Sequence, residues 1–185
     1  MSIEEPEFTL VRREGAFEVR DYGPTLVAEV TVIGAQRAAA REGFRRLAGY
    51  IFGGNRRRDR LAMTAPVAQS RAGQTIAMTA AVRQTRHDDV WVVRFTLPRG
   101  LTLDTLPKPD NPEVRLSAVE PARVAVLRFS GRVDAGALTT RTAELEAFVR
   151  TQGLRPLGSV SLAQYDPPWT LGFMRRNEVM IPVET

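Results

Sequence analysis

The chain has 185 residues, 43% of them hydrophobic, with no cysteine and a single histidine. That length suits one domain, or two intimately packed halves, around a real core, and the lack of cysteine excludes disulfides, thiolate nucleophiles and cysteine-ligated zinc or iron–sulfur centres. The formal net charge of +5 is almost all arginine, Lys108 being the only lysine, and it permits attraction to phosphates or carboxylates without choosing between them.

No run of about 18 apolar residues is present, so no transmembrane helix is expected. The acidic start MSIEEPEF lacks the apolar segment of a secretory signal, which makes the cytoplasm the expected compartment. In chain order, residues 7–13 and 16–20 are candidate short strands broken by Gly15, and Tyr22-Gly23-Pro24 makes a turn before a strand over 25–33. Gly34 opens a helix running to about Phe52. Its apolar residues Ala40, Phe44, Leu47, Ala48 and Ile51 fall at helical spacing, with Arg37, Arg41, Arg45 and Arg46 mostly on the other side. Gly53-Gly54-Asn55 ends it.

A doubled motif follows. Leu61-Ala62-Met63-Thr64-Ala65-Pro66-Val67 returns as Ile76-Ala77-Met78-Thr79-Ala80-Ala81-Val82, with turn residues between, and reads as a β-hairpin. Alternation gives it one bulky apolar face and one face of small side chains and threonines. The small face either lies under a helix or leaves room for something flat. After a turn at residues 86–89, 90–97 is a strong strand. Residues 98–112, with four prolines, form an irregular connector. Strands over 113–116 and 123–129 precede a helix over 135–152 with Leu138, Leu145, Phe148 and Val149 on one stripe, capped by Gly153. Residues 157–165 and 178–183 close the chain as strands. Glu18-Val19-Arg20 and Glu113-Val114-Arg115 open similar successions of strand, helix and paired strands. The chain thus reads as a single α+β domain over 1–185. Two β–α–β–β half-repeats, about 7–84 and 90–183, would form an open β-barrel or curved antiparallel sheet with two helices against it.

The doubled motif resembles that of the SOUL haem-binding family. Further pieces agree in the same order: Phe17-Glu18-Val19-Arg20 with Tyr22, Leu47-Ala48-Gly49-Tyr50-Ile51-Phe52-Gly53, Trp91, Phe129-Ser130-Gly131, Tyr165-Asp166-Pro167-Pro168-Trp169-Thr170 and Arg176-Asn177-Glu178-Val179. The resemblance implies a distorted β-barrel flanked by two helices that binds haem or another tetrapyrrole. Some members use an axial histidine on the first helix and others an apolar groove. Residues 34–52 hold no histidine, so the resemblance points to a groove here. The groove is expected between the first helix and the strands facing it, and the protein is expected to act as a reversible carrier or buffer and not as a catalyst.

Haem needs an apolar slot and cations for its propionates. Arg45 and Arg46, with the run Arg56-Arg57-Arg58, are the candidate cations. Tyr50, Met63, Met78 and Trp169 are candidate contacts, weighed against core packing of the methionines, a lid role for Trp169 and a packed Tyr50 ring with its hydroxyl exposed. His87, in Arg86-His87-Asp88-Asp89, is the only available imidazole and reads as a solvated turn residue rather than an axial ligand. No helix-turn-helix, zinc finger or aromatic RNA-binding pattern accompanies the arginines, so nucleic acid is not an expected partner. The fold also resembles gyrase-inhibitor-like effector-binding domains, which hold cationic or aromatic molecules with a buried acid and include hydrolases. Glu178 is the residue that reading would use. A pairing of its carboxylate with Arg175 or Arg176 is the plainer expectation for it.

Overall fold

The computed structural model describes residues 5–56, 76, 82–87 (the backbone alone at His87), 90–166 and 170–185. Its strands are β1 (Phe8–Glu14), β2 (Phe17–Tyr22), β3 (Thr25–Ile33), β4 (Asn55–Arg56), β5 (Val82–His87) and β6 (Val90–Thr96). They continue as β7 (Lys108–Pro109), β8 (Arg115–Val119), β9 (Ala122–Ser130), β10 (Ser161–Gln164) and β11 (Arg176–Val183). The helices are α1 (Gln36–Ile51) and α2 (Ala135–Thr151), with a 3-10 turn at Gly172–Met174. Nine strands form one antiparallel sheet in the order β1-β2-β9-β11-β10-β5-β6-β3-β8, curled into a half-barrel. This is the α+β open barrel with two helices expected from the sequence.

Alternation along the strands sorts side chains onto two faces. Ala28, Val30 and Val32 of β3 and Trp91, Val93 and Phe95 of β6 are buried under α1, with Leu47, Tyr50 and Ile51 from the helix. Val19, Ala125, Leu127, Val179 and Ile181 meet Leu145, Phe148 and Val149 of α2. The helix-covered face is thus apolar in both halves. Asp134 caps α2 by accepting the Ala137 amide at 2.8 Å. At its other end Gly153 takes φ of 67°, and the Leu154 amide reaches the Val149 carbonyl at 3.0 Å. That pattern ends a helix with a left-handed residue, a conformation glycine adopts without a Cβ clash.

Several expectations shift. The buried stripe of α1 is Ala39, Gly43, Leu47, Tyr50 and Ile51, whereas Phe44 stays 38% exposed, with its ring T-shaped to that of Phe95 at 5.3 Å. The stripe turned because the closest approach runs through Gly43, where a Cβ would stand 2.5 Å from Val93 Cγ2. Hydropathy cannot register a residue with no side chain. β5 runs through His87, paired with Val90, so the turn begins later than residue 86. The connector contributes β7, which pairs with β4. Of the doubled hairpin, Met63 and Met78 lie outside the described residues. Ile76 is described and buried against the α1 core, its amide bonded to the Ile51 carbonyl at 2.9 Å.

Candidate functional site

The sheet's other face carries the alternate residues. Cross-strand pairing aligns Glu29, Arg94, Arg83, Ala163, Glu178 and Arg128 in one row across six strands. On β2 the same alternation puts Glu18, Arg20 and Tyr22 on this side, away from Phe17 and Val19. These polar side chains are not solvated. Glu18, Arg20 and Glu178 are each no more than 4% exposed.

Arg20 is the centre of the cluster. Its Nη1 and Nη2 donate to the two oxygens of Glu178, both at 2.9 Å. Its Nε donates to Glu18 at 2.6 Å and Nη1 also to the Tyr22 hydroxyl at 3.0 Å. The Tyr165 hydroxyl donates to Glu178 Oε2 at 2.6 Å, and Arg13 completes Glu18 at 2.8 Å. The Phe8 ring covers the guanidinium at 4.3 Å. Burial pushes the Glu18 carboxyl up, but the hydrogen bonds from Arg20 and Arg13 outweigh it and hold it below the usual range. Burial, reinforced by the charge of Glu178, pushes the Tyr165 phenol well up. Burial also raises Tyr22, against the pull of Arg20. Bidentate guanidinium–carboxylate pairing satisfies the charges that burial would otherwise leave costly.

Two more arginines border the cluster. The Arg83 guanidinium lies 5.3 Å from the Tyr22 ring centroid, and that of Arg176 lies 3.7 Å from the Tyr165 centroid. The Nε of each is buried with no hydrogen-bond partner among the described residues. A cleft of about 630 Å³ opens between the start of β1, the β2–β3 turn and residues 96–101, with Phe8, Leu26, Leu97 and Leu101 in its wall. A second hollow, about 400 Å³, sits beside the ends of β9 and β11 and includes Arg128, Arg175 and Arg176. Among the described residues no group of three acidic or histidine side chains is placed to hold a metal, and no helix is long and apolar enough to cross a membrane.

Of the residues singled out from sequence, those described (Arg45, Arg46, Tyr50 and Glu178) do not share one pocket. Arg45 and Arg46 lie on the outer side of α1 and are both held by Glu42, at 2.7–3.0 Å; Arg46 also reaches Glu113 at 2.8 Å. Those bonds pull the Glu42 carboxyl down to about 2. Tyr50 is 1% exposed, and its hydroxyl, expected in solvent, donates to the Pro107 carbonyl at 2.9 Å inside the core. Among the described residues α1 packs directly on β3 and β6, with Gly43 against Val93. Glu178 faces the other side of the sheet. Its partner is Arg20, 158 residues away, and neither Arg175 nor Arg176. Arg175 instead donates to the Thr170 carbonyl and Arg176 to Glu5. Arg56 pairs with Asp110 at 2.9 Å, while Arg57, Arg58 and Trp169 lie outside the described residues, as does the side chain of His87.

Sequence reasoning missed Glu18, Arg20, Tyr22 and Tyr165 as members of one site. A signal was there: Glu18-Val19-Arg20-Asp21-Tyr22 places three hydrogen-bonding side chains on one strand face. That pattern reads as a solvent-facing side, and only the curl of the sheet buries it.

The model of the SOUL heme-binding protein family matches residues 3–182 of the chain. No curated protein matches it. Among solved structures, the C-terminal domain of EcmrR is similar at a TM-score of 0.64 and 11% identity, over 91% of this chain and 97% of that one. A hydrolase from Listeria innocua is similar at 0.56 and 15%, over 100% and 94%. SAV2435, solved bound to tetraphenylphosphonium, is similar at 0.50 and 11%, over 91% and 93%. At these identities the likeness is one of fold.

Proposed function

Because the chain belongs to the SOUL haem-binding protein family, we propose that it binds haem or another tetrapyrrole reversibly, as a carrier or buffer and not as a catalyst. The observation that carries the reading is the state of Glu178. Its carboxylate accepts three hydrogen bonds and is 2% exposed, so it offers neither a free charge to a cationic ligand nor a free base to a substrate. What this face has in excess is donors. Arg83 and Arg176 each hold a buried Nε–H without a partner among the described residues, a standing cost that a ligand carboxylate would relieve if the side chain turned out to meet it. A dicarboxylic tetrapyrrole fits that donor set. When bound, haem supplies iron-centred chemistry of its own. The chain's part is to hold the carboxylates, shield the ring and leave the ligand exchangeable. Arg45 and Arg46, already neutralised by Glu42, are less suited to the propionates than Arg83, which has no ion pair among the described residues.

Titrating the purified protein with hemin tests the reading. The expected result is saturable one-to-one uptake with a shifted Soret band and quenched tryptophan fluorescence, and His87→Ala keeping the same affinity. Weak, non-saturable uptake would overturn it. A second reading rests on the 2.6 Å Tyr165–Glu178 hydrogen bond, a buried phenol–carboxylate pair on the fold shared with the Listeria hydrolase and with SAV2435. Under it the protein is a small-molecule effector-binding domain or hydrolase. Uptake of tetraphenylphosphonium in place of hemin, lost in Glu178→Gln, would favour that alternative.

A further inference from the structure

The two hollows differ in the charged groups that line them. The 630 Å³ cleft is bordered by Glu5, Glu7 and Asp21 against Arg99, and Arg99 is already paired with Glu7. Glu5 and Asp21 are in turn paired with Arg176 and Arg123, so the charges at this cleft are matched. The 400 Å³ hollow is bordered by Arg128, Arg175 and Arg176 and by no carboxylate. Its volume lies within the ~300–1,000 Å³ span of small-molecule sites.

The ladder between β9 and β11 builds this hollow. Arg128 stands opposite Glu178, and Ser130 opposite Arg176, on the face away from the helices. Arg128 is exposed, and no ion pair to it occurs among the described residues. Arg176 is fixed by the Tyr165 ring and by Glu5 at 2.6 Å, and Arg175 donates to the Thr170 carbonyl. The rim is apolar. Leu171, Phe173 and Met174 follow one another across the 3-10 turn at 61–74% exposure, and Met174 lines the hollow with Phe129. Exposed apolar side chains gathered beside the open Arg128 guanidinium mark a surface for a molecule with a flat apolar body and an anionic edge.

We propose that the hollow between β9, β11 and the 3-10 turn receives the carboxylate edge of a dicarboxylic tetrapyrrole. Arg128 donates to the carboxylates, and Phe129 and Met174 in the wall of the hollow meet part of the ring. The proposal rests on the tetrapyrrole reading above and assigns it a place and residues.

The test compares protoporphyrin IX with its dimethyl ester, which keeps the ring and lacks the anions. Both are titrated by fluorescence against the wild-type chain, Arg128→Gln and, as a charge control at the far end of α2, Arg150→Gln. Losing a charge-assisted hydrogen bond should weaken binding of the diacid to Arg128→Gln by about tenfold or more. Ester binding should stay as it is, and Arg150→Gln should match wild type with both. If wild type binds the diacid and Arg128→Gln binds it equally well, the site is wrong and the tetrapyrrole reading stands. Failure of the wild-type chain to bind either porphyrin overturns both.

Discussion

On α1, Glu42 holds Arg45 and Arg46 at 2.7–3.0 Å; on the far face of the sheet, Glu18 and Glu178 hold Arg20 at 2.6–2.9 Å. The bonds are alike in chemistry and length, and their surroundings are opposite. The Arg45 side chain is 73% exposed and that of Arg20 is 4% exposed. In water, pairing replaces hydration that was already good, so little is gained or lost. Inside the curled sheet no water replaces a missing partner, so each bond in the Arg20 cluster is kept or paid for in full. Arginine–glutamate contacts therefore locate the architecture of this protein only where they are buried, and three ways of disturbing them should separate the clusters.

The largest effect belongs to Arg20→Met. It strands Glu18 and Glu178 without their shared cation and should cost about 3–5 kcal/mol in urea unfolding. The double variant Arg20→Met/Glu178→Leu should recover much of that loss, because an apolar pair of similar volume needs no counter-charge. A single variant within about 1 kcal/mol of wild type, the range of surface pairs, would erase the distinction between the clusters.

Next comes pH. The Tyr165 phenol is pushed above its ordinary value of 10.0, by burial first and by the Glu178 charge second. A folded-state value above the unfolded one gives stability that is complete below pH 10 and lost as the pH climbs toward the folded value. Unfolding free energy should therefore fall above pH 10, and tyrosinate absorbance should lag behind that of the denatured chain. Tyr165→Phe should flatten the fall while costing about 1–3 kcal/mol at neutral pH through the lost bond to Glu178. Tyr22, also raised by burial, keeps part of the slope. Identical alkaline profiles for variant and wild type would show that the phenol is solvated.

The same contrast explains what could be read in advance. β3, at residues 25–33, and α2, at 135–151, follow from patterns that act within a few residues: alternating Val and Ala in β3, and the Asp134 and Gly153 caps of α2. The Glu42 trio lies within four residues on one helix and is equally local. Arg20 and Glu178 meet across 158 residues because β2 and β11 both pair with β9, and no local spacing encodes that. Glu178 was legible as a candidate buried acid. Its partner was not, and the partner decides what the acid can do.

The smallest expected effect is that of Arg45→Ala. Its guanidinium is raised by the hydrogen bond to Glu42, and Glu42 is pulled to about 2 by Arg45 and then Arg46, shifts that by themselves would suggest a strong pair. Both groups face solvent, however, and salt screens what little the pairing adds. Arg46 also stays within reach, with Nε on Glu42 at 2.7 Å, so the carboxylate keeps a partner after the substitution. The denaturation midpoint should match wild type within error at both low and high salt. A measurable loss that disappears in salt would mean that the surface trio, and not only the buried cluster, holds α1 in place. The guanidinium of Arg45 would then have to act on more than Glu42, with Glu113, the other carboxylate that Arg46 reaches, the first place to look.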